Sequence, residues 1–114
     1  MGIVVYTTSV FLDKSMRDHQ DKVLQFLEVN NIEAEIIDLT MHTSARDVML
    51  ERMPEDKKNG KVLPPQVFNG DVYCGSYEDF FLASEEGLPF SFFRIPPPPN
   101  SYEEKLLIKK NGCP

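Results

Sequence analysis

Leu63-Pro64-Pro65-Gln66-Val67-Phe68-Asn69-Gly70, followed by Asp71-Val72-Tyr73-Cys74-Gly75-Ser76-Tyr77-Glu78-Asp79-Phe80, decides how this chain is read. A proline pair leads into a short apolar strand, an Asn-Gly turn, a second short strand and the start of a helix. Asn-Gly between two apolar runs is a strong hairpin signal, because the central residues of such turns need positive φ. Ser76 offers a hydroxyl to the unpaired amides of a helix carrying Phe80, Phe81 and Leu82. An X-Pro bond adopts the cis form at modest cost, which makes Pro65 the candidate cis residue.

Before this stretch, Gly2 to Thr8 is a β-branched and aromatic run without clean alternation, as suits a central strand covered on both faces. Ser15 is the expected N-cap of a helix over Met16–Val29, with Asp18 in its first turn. Met16, Val23, Leu24 and Leu27, with Phe26, form its apolar stripe, and Asn30-Asn31 ends it. Ile32–Leu39 reads as a second strand. Thr43 or Ser44 caps a second helix reaching Arg52, with Val48, Met49 and Met53 facing inward, and Pro54 stops it. Glu55–Lys61 is a charged surface loop. After the hairpin, Gly87 ends the third helix and the apolar run Leu88–Ile95 is expected to fold back over the domain. Pro96–Pro99 forms a short polyproline II segment. Ser101–Lys110 is either a short amphipathic helix or a mobile tail.

The order β-α-β-α-β-β-α gives an α/β domain with one parallel strand pair joined by a crossover and an antiparallel hairpin at one edge. A chain of 114 residues holds one core; the domain is placed at 1–95, with 96–114 as a proline-rich connector and tail. The net charge of −6 argues against non-specific binding to nucleic acid or anionic membrane. No stretch has the length of a membrane span, and the N-terminus has no secretory pattern. The expected location is therefore the cytoplasm, and also the nucleus, and the expected state is a monomer. Cys74 and Cys113 are far apart, without Cys-x-x-Cys, and read as free thiols.

The phrases Leu-Pro-Pro-Gln-Val-Phe-Asn-Gly and Tyr-Cys-Gly-Ser-Tyr-Glu-Asp-Phe-Phe resemble the SH3-domain-binding glutamic-acid-rich-like family, small glutaredoxin-like proteins. The resemblance runs from Ile3 to about Phe93 and is strongest after Leu63. It implies a thioredoxin/glutaredoxin-like fold with a four-stranded mixed sheet and helices on both faces. It also implies binding of protein partners, among them SH3 or other proline-recognising domains, and no cofactor or metal.

Active glutaredoxins carry a cysteine in the loop after the first strand, at the start of a helix that lowers its pKa. Here that loop is Ser9, Val10, Phe11, Leu12, Asp13 and Lys14, and alignment places Phe11 and Lys14 at the thiol positions. A serine hydroxyl neither ionises near neutral pH nor forms a disulfide, so the reading is a non-catalytic adaptor without thiol-disulfide oxidoreductase activity. The alternative is a degenerate glutaredoxin that binds glutathione weakly. The resemblance places its pocket at Pro64, Pro65, Gln66, Gly75, Ser76 and Tyr77, with Cys74 as a redox-sensitive thiol. Pro64 has no N–H to donate to such a ligand, a loss of about 0.5–1.5 kcal/mol. The plainer reading of Cys74 is a small half-buried residue closing the hairpin; Cys113 reads as an exposed tail thiol. The family's Pro-x-x-Pro motif lacks its leading proline here, at Val62, and Pro65, Val67 and Phe68 read as core residues. A second proline-rich docking candidate is Arg94 with Pro96 and Pro99. His19 and His42 lack partners at ligand spacing and read as surface residues.

Overall fold

The computed structural model describes residues 2–58 and 62–110. Four strands form one sheet: β1 (Ile3–Thr7), β2 (Ala34–Asp38), β3 (Gln66–Asn69) and β4 (Val72–Ser76), in the order β2-β1-β3-β4. β1 pairs in parallel with β2 and antiparallel with β3, and β3 pairs antiparallel with β4. The parallel pair is joined through α1 (Lys14–Val29), and β2 reaches β3 through α2 (Ser44–Arg52) and a short turn at Glu55–Lys57. After β4 come α3 (Tyr77–Glu85), α4 (Pro89–Phe92) and α5 (Tyr102–Lys110). This is the expected thioredoxin-like arrangement.

Alternation along the strands divides the interior in two. Ile3, Val5 and Val67 face α1, α3 and α4, where they meet Val23, Leu27, Phe80, Phe92 and Phe93. Tyr6 and Phe68 face the other way, onto Leu39, Met49, Met53 and Val62. β1 thus sits between two strands and two apolar layers, which explains its unbroken apolar run. β2 lies at the edge, and Ile36 on it is exposed.

Several boundaries differ from the sequence reading for local reasons. Asp13, not Ser15, caps α1: its carboxylate accepts from the Met16 amide at 2.9 Å and the Ser15 hydroxyl at 2.8 Å. Lys14 therefore belongs to the helix. Val48 is exposed, and Met49 and Met53 alone among the expected inward residues of α2 are buried. The hairpin turn is centred on Gly70-Asp71, with Asn69 still in the ladder opposite Val72. Only Gly70 takes positive φ, at 61°. The Asn69 side chain instead donates to the carbonyls of Phe93 and Arg94, tying the run after α4 to the sheet.

α5 is helical, and Glu103 connects it to the domain. Its buried carboxylate accepts from the amides of Phe90 and Ser91 at 2.9 and 2.7 Å and from the Ser91 hydroxyl at 2.8 Å. These are the free donors at the start of α4. Of the charged loop expected over Glu55–Lys61, the part to Lys58 is described; Cys113 lies outside the described residues.

Candidate functional site

At the junction of β1, α1, β3 and α3 lies a groove of about 240 Å³. Its floor is the Pro64-Pro65 dipeptide, whose peptide bond is cis, as the sequence suggested. Leu12, Asp13, Ser15, Met16 and His19 line the α1 side, and Ser76, Tyr77 and Glu78 the α3 side.

Each wall is held from behind. The end of β1 is tied to α1 by Gln20, whose side-chain amide accepts from the Thr8 N–H and donates to the Thr8 carbonyl, both at 3.0 Å. The Thr8 hydroxyl meets that of Thr40 at 2.8 Å, fixing the point where the loop 9–13 departs. Behind the prolines, Gln66 donates to the Leu63 carbonyl at 2.7 Å and accepts from the Tyr73 hydroxyl at 2.6 Å. Burial raises the Tyr73 phenol to about 12, reinforced by the carboxylates of Asp79 and Glu78, so Tyr73 remains a donor across the neutral range. At the third wall, the Asp79 carboxylate accepts from the Ser76 amide at 3.1 Å, the return arm of a capping box. Gly75 makes this possible. It takes φ +141°, and a Cβ there would lie 2.6 Å from the Asp79 carboxylate.

The sequence-predicted residues divide accordingly. Pro64, Pro65, Ser76 and Tyr77 line the groove together, whereas Gln66 and Gly75 are buried supports behind it. In the loop after β1, Leu12 and Asp13 face the groove; Ser9 and Val10 are exposed beyond it. Phe11 and Lys14 do not line it, and Phe11 lies under the Arg17 guanidinium, 6.0 Å from the ring centroid. Helix α1 begins at Lys14, and the turn just before it, not Phe11, approaches the prolines. His19 is not a free surface residue: its ring stacks on Tyr77 at 3.9 Å and 3°. The sequence reading placed His19 on the surface and did not single out Gln20. Gln20 carried a usable signal, a polar residue at helical spacing within the stripe Met16, Val23, Leu27.

Cys74 stands apart from the groove. Val67 pairs with Gly75 and Phe68 with Tyr73, which leaves Cys74 as the extra residue of a β-bulge. It packs against the phenylalanine-rich core layer. Burial pushes its thiol up from the ordinary value, with only partial opposition from Arg94. Arg94 has φ +59° and donates its amide to the Ser91 carbonyl. It is thus outside the polyproline II region, and Arg94 to Pro99 do not form one continuous extended ligand. Pro96 and Pro99 are exposed.

The groove is acidic. Among the described residues, Asp13 and Glu78 line it and no lysine or arginine does. The Met16 amide and Ser15 hydroxyl hold the Asp13 carboxyl below its usual value, so it is anionic across the neutral range.

The sequence profile of the family described as "SH3-binding, glutamic acid-rich protein" matches residues 1–96. The chain belongs to this family. Among solved structures it is similar to the actin interacting protein Aip5 of C. albicans, at 23% identity and a TM-score of 0.60. That alignment covers 81% of this chain and 87% of Aip5. Glutaredoxin C1 from Populus tremula x tremuloides in its holo form aligns at 13% identity and TM-score 0.57, covering 82% of this chain and 83% of that one. A buckwheat glutaredoxin–glutathione complex aligns at 14% identity and TM-score 0.57, covering 82% and 76%. At these identities the neighbours establish the fold: this family member has the glutaredoxin architecture.

Proposed function

We propose that this protein is a non-catalytic adaptor that binds protein partners through the groove over Pro64-Pro65. The observation that carries this reading is a glutaredoxin-type groove whose lining, among the described residues, holds no thiol. The chain's two cysteines are Cys74 and Cys113. Cys74 lies on the bulge away from the groove, and burial raises its pKa, the reverse of what a thiolate nucleophile needs. Glutathione is disfavoured as ligand on three counts. Pro64 offers no N–H, the Ser76 amide is already used by Asp79, and two carboxylates face the space an anionic tripeptide would fill. Family membership and the actin-interacting neighbour support protein partners of this class.

The test pairs two measurements on the full chain. Reduction of a small disulfide by glutathione should run at the uncatalysed rate with the protein present. Leu12→Arg, which fills the groove from an exposed position, should abolish capture of partners while leaving the melting temperature unchanged. Turnover above background would sink the non-catalytic reading, and undiminished capture would sink the groove as the docking site.

A further inference from the structure

The groove is one half of a longer surface. The ridge formed by Leu12, Met16, Leu63 and Pro64 also borders a second hollow of about 240 Å³, walled by Val10, Leu39, Thr40 and Arg46. Val10, Leu12 and Leu63 are 63%, 62% and 38% exposed, a cluster of large apolar side chains that folding leaves in water. The hollows differ in charge. The first carries Asp13 and Glu78; in the second, the cation Arg46 is already engaged by the Val62 carbonyl at 3.1 Å.

On this arrangement, and resting on the adaptor reading above, we infer that the surface takes an extended segment of a partner protein. That segment carries a basic side chain, lysine or arginine, close to a large aliphatic one. The basic group sits between Asp13 and Glu78, and the aliphatic group crosses the Leu12–Pro64 ridge into the second hollow. Both carboxylates are pre-placed: Asp13 by the helix cap, and Glu78 by accepting from the Ser76 hydroxyl at 3.1 Å. A carboxylate pair recognises a cation by direct charge-assisted hydrogen bonds, and the apolar ridge contributes desolvation that charge alone would not.

The test is an amide NMR titration with three blocked peptides: acetyl-Arg-Ala-Leu-Leu-amide, the same with Arg→Glu, and the same with both leucines replaced by alanine. The first should give saturable shifts at Asp13, Met16, Tyr77 and Glu78, and at Thr40 beyond the ridge. The other two should bind at least about fivefold more weakly. Asp13→Asn keeps an N-cap oxygen, and Glu78→Gln is exposed and isosteric; each should weaken the first peptide about two- to fivefold. Glu78→Lys should erase the preference for the arginine peptide, because the new ammonium then offsets the Asp13 carboxylate. Equal binding of the arginine and glutamate peptides at these residues would overturn the assigned chemistry while leaving the groove as a docking site. So would the absence of shifts from all three at millimolar concentration, provided Leu12→Arg still abolishes partner capture. Failure of that variant as well would overturn the adaptor reading itself.

Discussion

Replacing Glu103 by alanine tests whether α5 is part of the folded unit. In the native state this buried carboxylate receives three hydrogen bonds, at 2.7, 2.8 and 2.9 Å, from Phe90 and Ser91. Hydrogen bonds to a charged group contribute about 1.5–3 kcal/mol each when their loss strands a buried partner. The three are not additive here, because undocking of α5 lets water reach the same donors. The loss is therefore limited to roughly one such bond plus its desolvation, about 2–3 kcal/mol. Because about 1.4 kcal/mol is a factor of ten, hydrogen-exchange protection of the Phe90 and Ser91 amides should fall about 30- to 140-fold. Glu104→Ala is the matched control. Its carboxylate accepts from the Asn100 amide at 2.9 Å in an exposed setting, and its loss should lower protection less than about fivefold. Equal, small effects from the two variants would show that Glu103 is an ordinary surface contact and that α5 does not depend on it.

Three further perturbations probe the groove's supports. In an alkaline absorbance titration, one of the four tyrosines should ionise near pH 12 instead of near 10, and Tyr73→Phe should remove that late phase. Since the folded value is raised, the stability tied to the Tyr73 phenol is complete below about pH 10 and is lost between 10 and about 12; loss of a phase near 10, not near 12, on Tyr73→Phe would contradict this. In a Cys113→Ser background, iodoacetamide should alkylate Cys74 at pH 7.5 at least about tenfold more slowly than free glutathione, because its raised pKa and partial burial both suppress the thiolate; a rate equal to or above that of glutathione would revive the reactive-thiol reading. Gly75→Ala forces a Cβ to 2.6 Å from the Asp79 carboxylate at φ +141°, and should cost about 2–4 kcal/mol in urea denaturation; a cost under about 1 kcal/mol would mean the capping box is not rigid.

The architecture was legible because its strongest signals are local. Val67-Phe68 and Ile3–Tyr6 can only be interior, the proline pair fixes the strand entry, and Asn30-Asn31 and Gly87 mark helix ends by their tolerance of positive φ. Asn31 and Gly87 do take it, at 55° and 82°. What escaped the sequence depends on contacts between distant segments. Glu103 looks like a surface glutamate until the start of α4 is seen to need an acceptor. His19 looks exposed until Tyr77, on another helix, comes to lie against its ring. The hairpin turn shifted by one residue because the Asn69 side chain found carbonyls near Phe93, a gain invisible in the Asn-Gly pair alone. In the groove, the missing thiol was evident from the loop after β1, but the acidic lining was not. Glu78 and Asp13 come to line one groove only when α3 packs beside α1.

Site-specific photo-crosslinking in cells decides whether the groove over Pro64-Pro65 is used for docking. A photoreactive residue placed at Ser15, in the groove, is compared with one at Val29, also exposed but at the far end of α1. Discrete protein adducts are expected from position 15 that disappear when Leu12→Arg is added, and none of the same adducts from position 29. The same adduct pattern from both positions, indifferent to Leu12→Arg, would contradict docking at the groove.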